Sequence, residues 1–128
     1  MYRITVKDGK EKQLVKHHPW VFSGAIDRVE PQFENADWAE IESSKGSFIA
    51  YGWYDEKSHI LLHLLSWDKK RRPDVKFVRE LVKESILRRR PYFSSSDTTA
   101  FRLIHGEADF LPGVAADVYG REVRVVIS

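Results

Sequence analysis

The residues best suited to acid–base chemistry sit together in His105-Gly106-Glu107-Ala108-Asp109, which can gather an imidazole and two carboxylates on one face. A small hydrolase built on His105, Glu107 and Asp109 is one reading. The other is a polar loop in which Glu107 and Asp109 cap backbone amides ahead of Leu111-Pro112-Gly113. His59 and His63 have metal spacing on a helix, but their segment, His59-Ile60-Leu61-Leu62-His63-Leu64-Leu65, suits a buried strand. There the two imidazoles stand about 13 Å apart, too far for one ion. A third group is chemically different. Lys10, Lys12, Lys16, His17 and His18 run straight into Trp20 and Phe22. Cations that meet phosphate beside aromatic rings on which bases stack suit looped or single-stranded RNA. Large aromatics are more often core than platform, so Trp20 and Phe22 are expected to anchor a turn and the flanking cations to make the contacts. Two further basic clusters, Lys69 to Arg72 and Arg88 to Arg90, bracket a candidate helix. They suit phosphates, or a solvated face laced by Lys76–Glu80 and Glu84–Arg88 pairs.

The elements that must position these groups follow from patterning. Tyr2, Ile4 and Val6 alternate with Arg3, Thr5 and Lys7, which predicts a half-buried strand. A short helix is expected over 10–17, a tight turn over 18–25, a strand over 26–30 and a loop over 31–37. Strands are predicted at 38–43, 47–54 and 59–66, spacing that argues for a compact, mostly antiparallel sheet or small barrel. From Pro73 the period becomes helical, with Val75, Phe77, Val78, Leu81, Val82 and Ile86 on one face. Pro91 is expected to end that helix, and Ser94-Ser95-Ser96-Asp97 to mark a boundary. Three more strands are predicted at 101–105, 114–118 and 122–127.

Composition bounds the function. The 128 residues carry 21 Lys+Arg against 19 Asp+Glu, a net charge of +2 that excludes a strongly charged disordered tail. Zero cysteines exclude a disulfide framework, a thiolate metal site and a cysteine nucleophile in this chain. No run approaches the ~18 apolar residues of a membrane span, and Met1 to Lys7 lack the core of a secretory signal, so the expected compartment is the cytoplasm. No Gly-x-Gly-x-x-Gly, phosphate-binding lysine loop or Gly-x-Ser-x-Gly elbow is present.

His18-Pro19-Trp20-Val21-Phe22-Ser23-Gly24-Ala25-Ile26, followed downstream by Phe101-Arg102-Leu103-Ile104-His105-Gly106-Glu107-Ala108-Asp109-Phe110-Leu111-Pro112-Gly113 and Asp117-Val118-Tyr119-Gly120, carries a resemblance. The chain resembles the amino-terminal part of class I S-adenosylmethionine-dependent methyltransferases that modify cytosine C5 in large-subunit ribosomal RNA. Phe110 departs from the pattern, standing where family members often carry glycine. The resemblance implies an α+β fold: a mostly antiparallel PUA-like pseudo-barrel over 1–72, a connecting helix over 73–92, and the start of a β-rich middle domain over 93–128. It implies a structured, ribosomal RNA partner for this region; Lys10, Lys12, Lys16, His17, His18 and Arg28, chosen by charge and by adjacency to the first motif, are the candidate contacts, with Lys69 to Arg72 in second rank. S-adenosylmethionine belongs to the parent family, and none is expected on this chain. The glycines that hold it, an Asp-Pro-Pro motif and the cysteine that adds to C6 of the base are expected beyond Ser128, so this chain alone is expected to be inactive. The rival reading is an autonomous RNA-binding or ribosome-associated protein. An unpaired strand near the end of the chain also predicts a homodimer by edge pairing.

Overall fold

The computed structural model describes residues 1–31 and 37–128, so most of the loop expected over 31–37 lies outside the described residues. The chain divides into two compact units, Met1–Pro73 and Asp74–Ser128. The first holds strands β1 (Tyr2–Val6), β2 (Trp20–Phe22), β3 (Ile26–Pro31), β4 (Trp38–Glu42), β5 (Phe48–Tyr54) and β6 (Ile60–Ser66), with helix α1 (Glu11–Val15) after β1. They form one curled half-barrel sheet in the order β2-β6-β5-β4-β1-β3. Every described ladder in it is antiparallel except β1 with β4. The mixed α+β fold is the class the resemblance implies, and the mostly antiparallel half-barrel is what strand spacing argued for.

Inward-facing apolar positions build the core. Ile4 and Val6 of β1, Ile41 of β4 and Leu62 of β6 are fully buried, and Val21 and Leu64 nearly so. Gly52 lets β5 and β6 approach: a Cβ there would lie 2.7 Å from the His63 carbonyl oxygen, closer than side chains tolerate. At five residues, α1 is far too short to persist alone. It is held by buried Leu14, whose carbonyl accepts a 2.7 Å bond from Trp67 Nε1. The stretch expected as a tight turn over 18–25 instead forms edge strand β2 and a single 3₁₀ turn, Ser23–Ala25. Its pairing with β6, Trp20 opposite His63 and Val21 opposite Leu62, draws it into the sheet.

The second unit packs helix α2 (Val75–Arg88) and a short α3 (Arg90–Phe93) with a sheet of β7 (Ala100–His105), β8 (Val114–Tyr119) and β9 (Glu122–Ile127). Asp74 caps α2, its carboxylate accepting from the Phe77 amide at 2.7 Å. Only Phe77, Leu81 and Ser85, four residues apart, are buried on α2. Val75 and Ile86, expected on the core face, are exposed, because the contact made with β7 is one narrow stripe. Pro91 does not end helical structure. The chain breaks at Arg89 and restarts with Pro91 in the first turn of α3, where its missing N–H costs no bond.

Candidate nucleic-acid interface

The α1–β2 region assembles a concave surface of about 360 Å³. Lys10, Gln13, His18, Trp20 and Phe22 line it, with Leu14 and Val21 as its buried floor. Here the structure overturns the expectation that both aromatics are core anchors. Trp20 is 38% and Phe22 50% exposed, whereas Val21 between them is 1% exposed. Alternation on a three-residue edge strand decides this: one side chain turns inward and its neighbours turn out. Two rings thus stand beside Lys10 and His18, a combination that holds phosphate and offers a face for stacking. The His18 ring is fixed from below. Its Nδ1 lies 3.1 Å from the Trp20 carbonyl oxygen and 3.3 Å from the Trp20 amide nitrogen, and its ring meets the indole edge-on at 6.3 Å.

The remaining candidate cations scatter around this surface. Lys12 and Lys16 are exposed on and just after α1 but do not line the concavity. His17 turns away from it. With φ at 67°, in the left-handed region, its imidazole stacks on Trp67 at 4.5 Å and 25°. Arg28 lies on β3, at the opposite end of the strand order, and pairs with Glu30 at 3.0 Å. The Lys69 to Arg72 cluster is engaged within its own unit. Lys69 Nζ sits 5.7 Å from the Phe48 ring centroid, and the Lys69 carbonyl accepts from the Tyr51 hydroxyl at 3.2 Å. Burial, reinforced by the Glu40 charge and opposed by Arg72, raises the Tyr51 pKa and keeps that hydroxyl a donor.

The other candidate chemistry resolves as architecture. Asp109 is 2% exposed and ends a 3₁₀ turn, Gly106–Asp109. Its carboxylate accepts from Arg88 Nη2 at 2.6 Å, from Arg89 Nη1 and Nη2 at 3.0 and 2.8 Å, and from the His105 amide at 2.7 Å. Burial pushes its pKa up, but the bonds from Arg89, the His105 amide and Arg88 outweigh that and bring it to about 2. A carboxylate so committed neither donates a proton nor attacks a substrate at neutral pH. Two of the three cations in Arg88 to Arg90 are thereby bound within the unit rather than presented to phosphate. The sequence reading, which offered this cluster to phosphates or to a solvated face, missed this, since Asp109 lies 20 and 21 residues from its partners. His63 sits in β6 opposite Trp20 and Trp53, and His59 precedes the strand. Among the described residues no group of three or more His, Asp or Glu side chains could hold a metal ion. No helix among them is long and apolar enough to cross a membrane. Neither unit forms the strand, glycine loop and helix that cradle an adenosyl cofactor, so the described residues do not fit S-adenosylmethionine.

The model of a PUA-like domain family matches residues 4–67, a span that contains α1 and β2. The ribosomal RNA large subunit methyltransferase I of Salmonella arizonae is 32% identical over 118 residues, covering 92% of this chain. That of Salmonella newport matches equally. The chain spans 29% of the length of each, in their amino-terminal region. Among solved structures, one designated a SAM-dependent methyltransferase from Streptococcus mutans aligns over 98% of this chain and 32% of its own. Its TM-score is 0.77 at 23% identity. A second, designated a methyltransferase complexed with SAH, aligns over the whole chain and 33% of its own, with a TM-score of 0.79 at 23% identity. These two establish likeness of fold.

Proposed function

Because the chain belongs to the PUA-like domain family, we propose that its first unit binds structured RNA through the α1–β2 surface and positions it for methylation. One observation carries the reading: Lys10 and His18 share a concavity with the exposed rings of Trp20 and Phe22. Lys10 meets a phosphate, His18 hydrogen-bonds a base edge or sugar, and the rings stack an unpaired base. Lys12 and Lys16 extend the positive field along the backbone, and His17, Arg28 and Lys69 to Arg72 are outlying candidates for contact. Stacking on an aromatic ring contributes about 1–3 kcal/mol per base, and each neutralised phosphate adds a salt-dependent increment.

In the finer reading the RNA is ribosomal and the methyl group goes from S-adenosylmethionine to cytosine C5. The thiolate that adds at C6 is supplied from outside these 128 residues, which contain no cysteine. The site of action is the cytoplasm. In the same finer reading the chain self-associates as a homodimer. Amide chemical-shift mapping with a hairpin RNA tests the binding surface. Shifts are expected at Lys10, Gln13, His18 and Trp20 to Phe22. Shifts confined to the second unit overturn the assignment.

A further inference from the structure

Lys7, the residue after β1, is tied twice to the wall of the α1–β2 concavity. Its amide donates to the Ala25 carbonyl at 2.9 Å, and its Nζ donates to the Gly24 carbonyl at 3.0 Å. Gly24 and Ala25 belong to the 3₁₀ turn after β2, and both line that concavity. A second ammonium therefore stands at the rim of the surface that Lys10 lines. The two lysines are the ends of one β-turn. The Lys10 amide donates to the Lys7 carbonyl at 3.0 Å, and Gly9 at the third position has φ 82°, the left-handed geometry that a type II turn requires. Such a turn brings its end Cα atoms within about 7 Å.

The chemistry of this turn suits a run of phosphates. An ammonium carries three N–H donors, so Lys7 keeps two after its bond to Gly24. That bond also fixes a head group that would otherwise lose rotamer freedom on meeting a ligand. The turn's one carboxylate, Asp8, accepts from Ser44 Oγ at 3.4 Å, and among the described residues neither ammonium is ion-paired. Positive charge is left at both ends of the turn, on the length scale at which one phosphate follows another along an RNA strand. A nucleotide with a phosphate on each side can then reach Trp20 or Phe22 with its base, which a base held in a duplex cannot do. A terminal nucleotide fills only half of the arrangement.

We infer that Lys7 and Lys10 clamp two successive phosphates of one RNA strand, with the nucleotide between them unpaired and stacked on the ring of Trp20 or Phe22. This rests on the RNA-binding reading above, and adds to it Lys7 and an internal nucleotide flanked by two phosphates as the ligand. Fluorescence anisotropy over a range of salt tests it, with a labelled hairpin RNA and the unaltered chain, Lys7→Gln, Lys7→Arg, Lys10→Ala and the double variant Lys7→Gln with Lys10→Ala. Lys7→Gln is expected to flatten the slope of log affinity against log salt by about 0.7–0.9, as much as Lys10→Ala, and the double variant by about 1.4–1.8. Lys7→Arg, which keeps the charge, should retain the slope. Neutral methylphosphonate linkages, placed one at a time in the hairpin loop, locate the contacts. The linkage that cancels the effect of Lys7→Gln is expected to adjoin the one that cancels the effect of Lys10→Ala. Circular dichroism checks that each variant is folded. An unchanged slope in Lys7→Gln, even with weaker affinity, would mark the Gly24 bond as purely structural. If Lys10→Ala still flattens the slope, that result overturns the clamp and leaves RNA binding at this surface standing. Linkages that do not adjoin overturn the pairing with successive phosphates. Affinity and slope that no variant alters overturn the RNA-binding reading together with the clamp.

Discussion

Replacing Asp109 by Asn keeps the shape of the side chain and removes its charge, which makes it a sharp probe of what holds the second unit together. The carboxylate accepts three guanidinium bonds of 2.6, 2.8 and 3.0 Å and one backbone bond of 2.7 Å while 2% exposed. An amide retains one acceptor oxygen and turns an NH₂ toward the Arg89 fork, donor against donor. Breaking a buried ion pair from one side costs about 3–5 kcal/mol. Arg88 is half exposed, so water screens its share, and about 3 kcal/mol is the expected loss. A unit of 55 residues has little stability to spare, so this shifts its folding equilibrium roughly a hundredfold. All four tryptophans, Trp20, Trp38, Trp53 and Trp67, lie in the first unit, and α2 lies in the second. Urea unfolding followed by far-ultraviolet circular dichroism should therefore move to lower denaturant in Asp109→Asn, while the tryptophan fluorescence transition stays in place. pH provides a second axis. The folded pKa of about 2 lies below the ordinary 3.8, so the stabilisation is complete above pH ~5 and is lost as pH falls through 2. It amounts to at most ~2 kcal/mol, less than the Asn substitution costs, because protonation leaves both oxygens in place. Asp109→Asn should lack this acid-dependent component. Unchanged transitions in the variant, with the same acid dependence, would refute the anchoring role.

Gly52→Ala is expected to destabilise the first unit by about 1–3 kcal/mol, because the added Cβ meets the His63 carbonyl at 2.7 Å; tryptophan fluorescence during urea unfolding reads it. Trp67→Phe removes the indole bond to the Leu14 carbonyl and is expected to cost about 1 kcal/mol. It should also speed amide exchange in α1, and unaltered exchange there would show that Leu14 burial suffices.

Strict alternation made most of the first unit legible. Tyr2, Ile4 and Val6 mark β1 from sequence alone, and the turn signals between 38 and 66 separate β4, β5 and β6. The site was half legible. Lys10 and His18 stood out by charge and by adjacency to aromatics, but the rings of Trp20 and Phe22 were assigned inward by size. What reverses that assignment is β2's position at a sheet edge with Val21 inward, and this depends on pairing with a strand some 40 residues later. His17 illustrates the same limit: its left-handed backbone and its stack on Trp67 arise from a contact 50 residues away. The Asp109 anchor was legible only in part: a loop in which Asp109 takes a backbone amide was one of the readings, and the His105 amide bond agrees with it, but its Arg88 and Arg89 partners lie 21 and 20 residues upstream.

RNA binding at the α1–β2 surface is tested most directly by the salt dependence of affinity for a labelled hairpin RNA, measured by fluorescence anisotropy on the unaltered chain, Lys10→Ala and Trp20→Ala. Lys10→Ala should flatten the slope of log affinity against log salt by about 0.7–0.9, the loss of one phosphate contact. Trp20→Ala should weaken binding by about 1–3 kcal/mol, roughly 5- to 150-fold, with the slope unchanged, as loss of stacking requires. Affinity and slope that are the same in all three proteins would contradict the account.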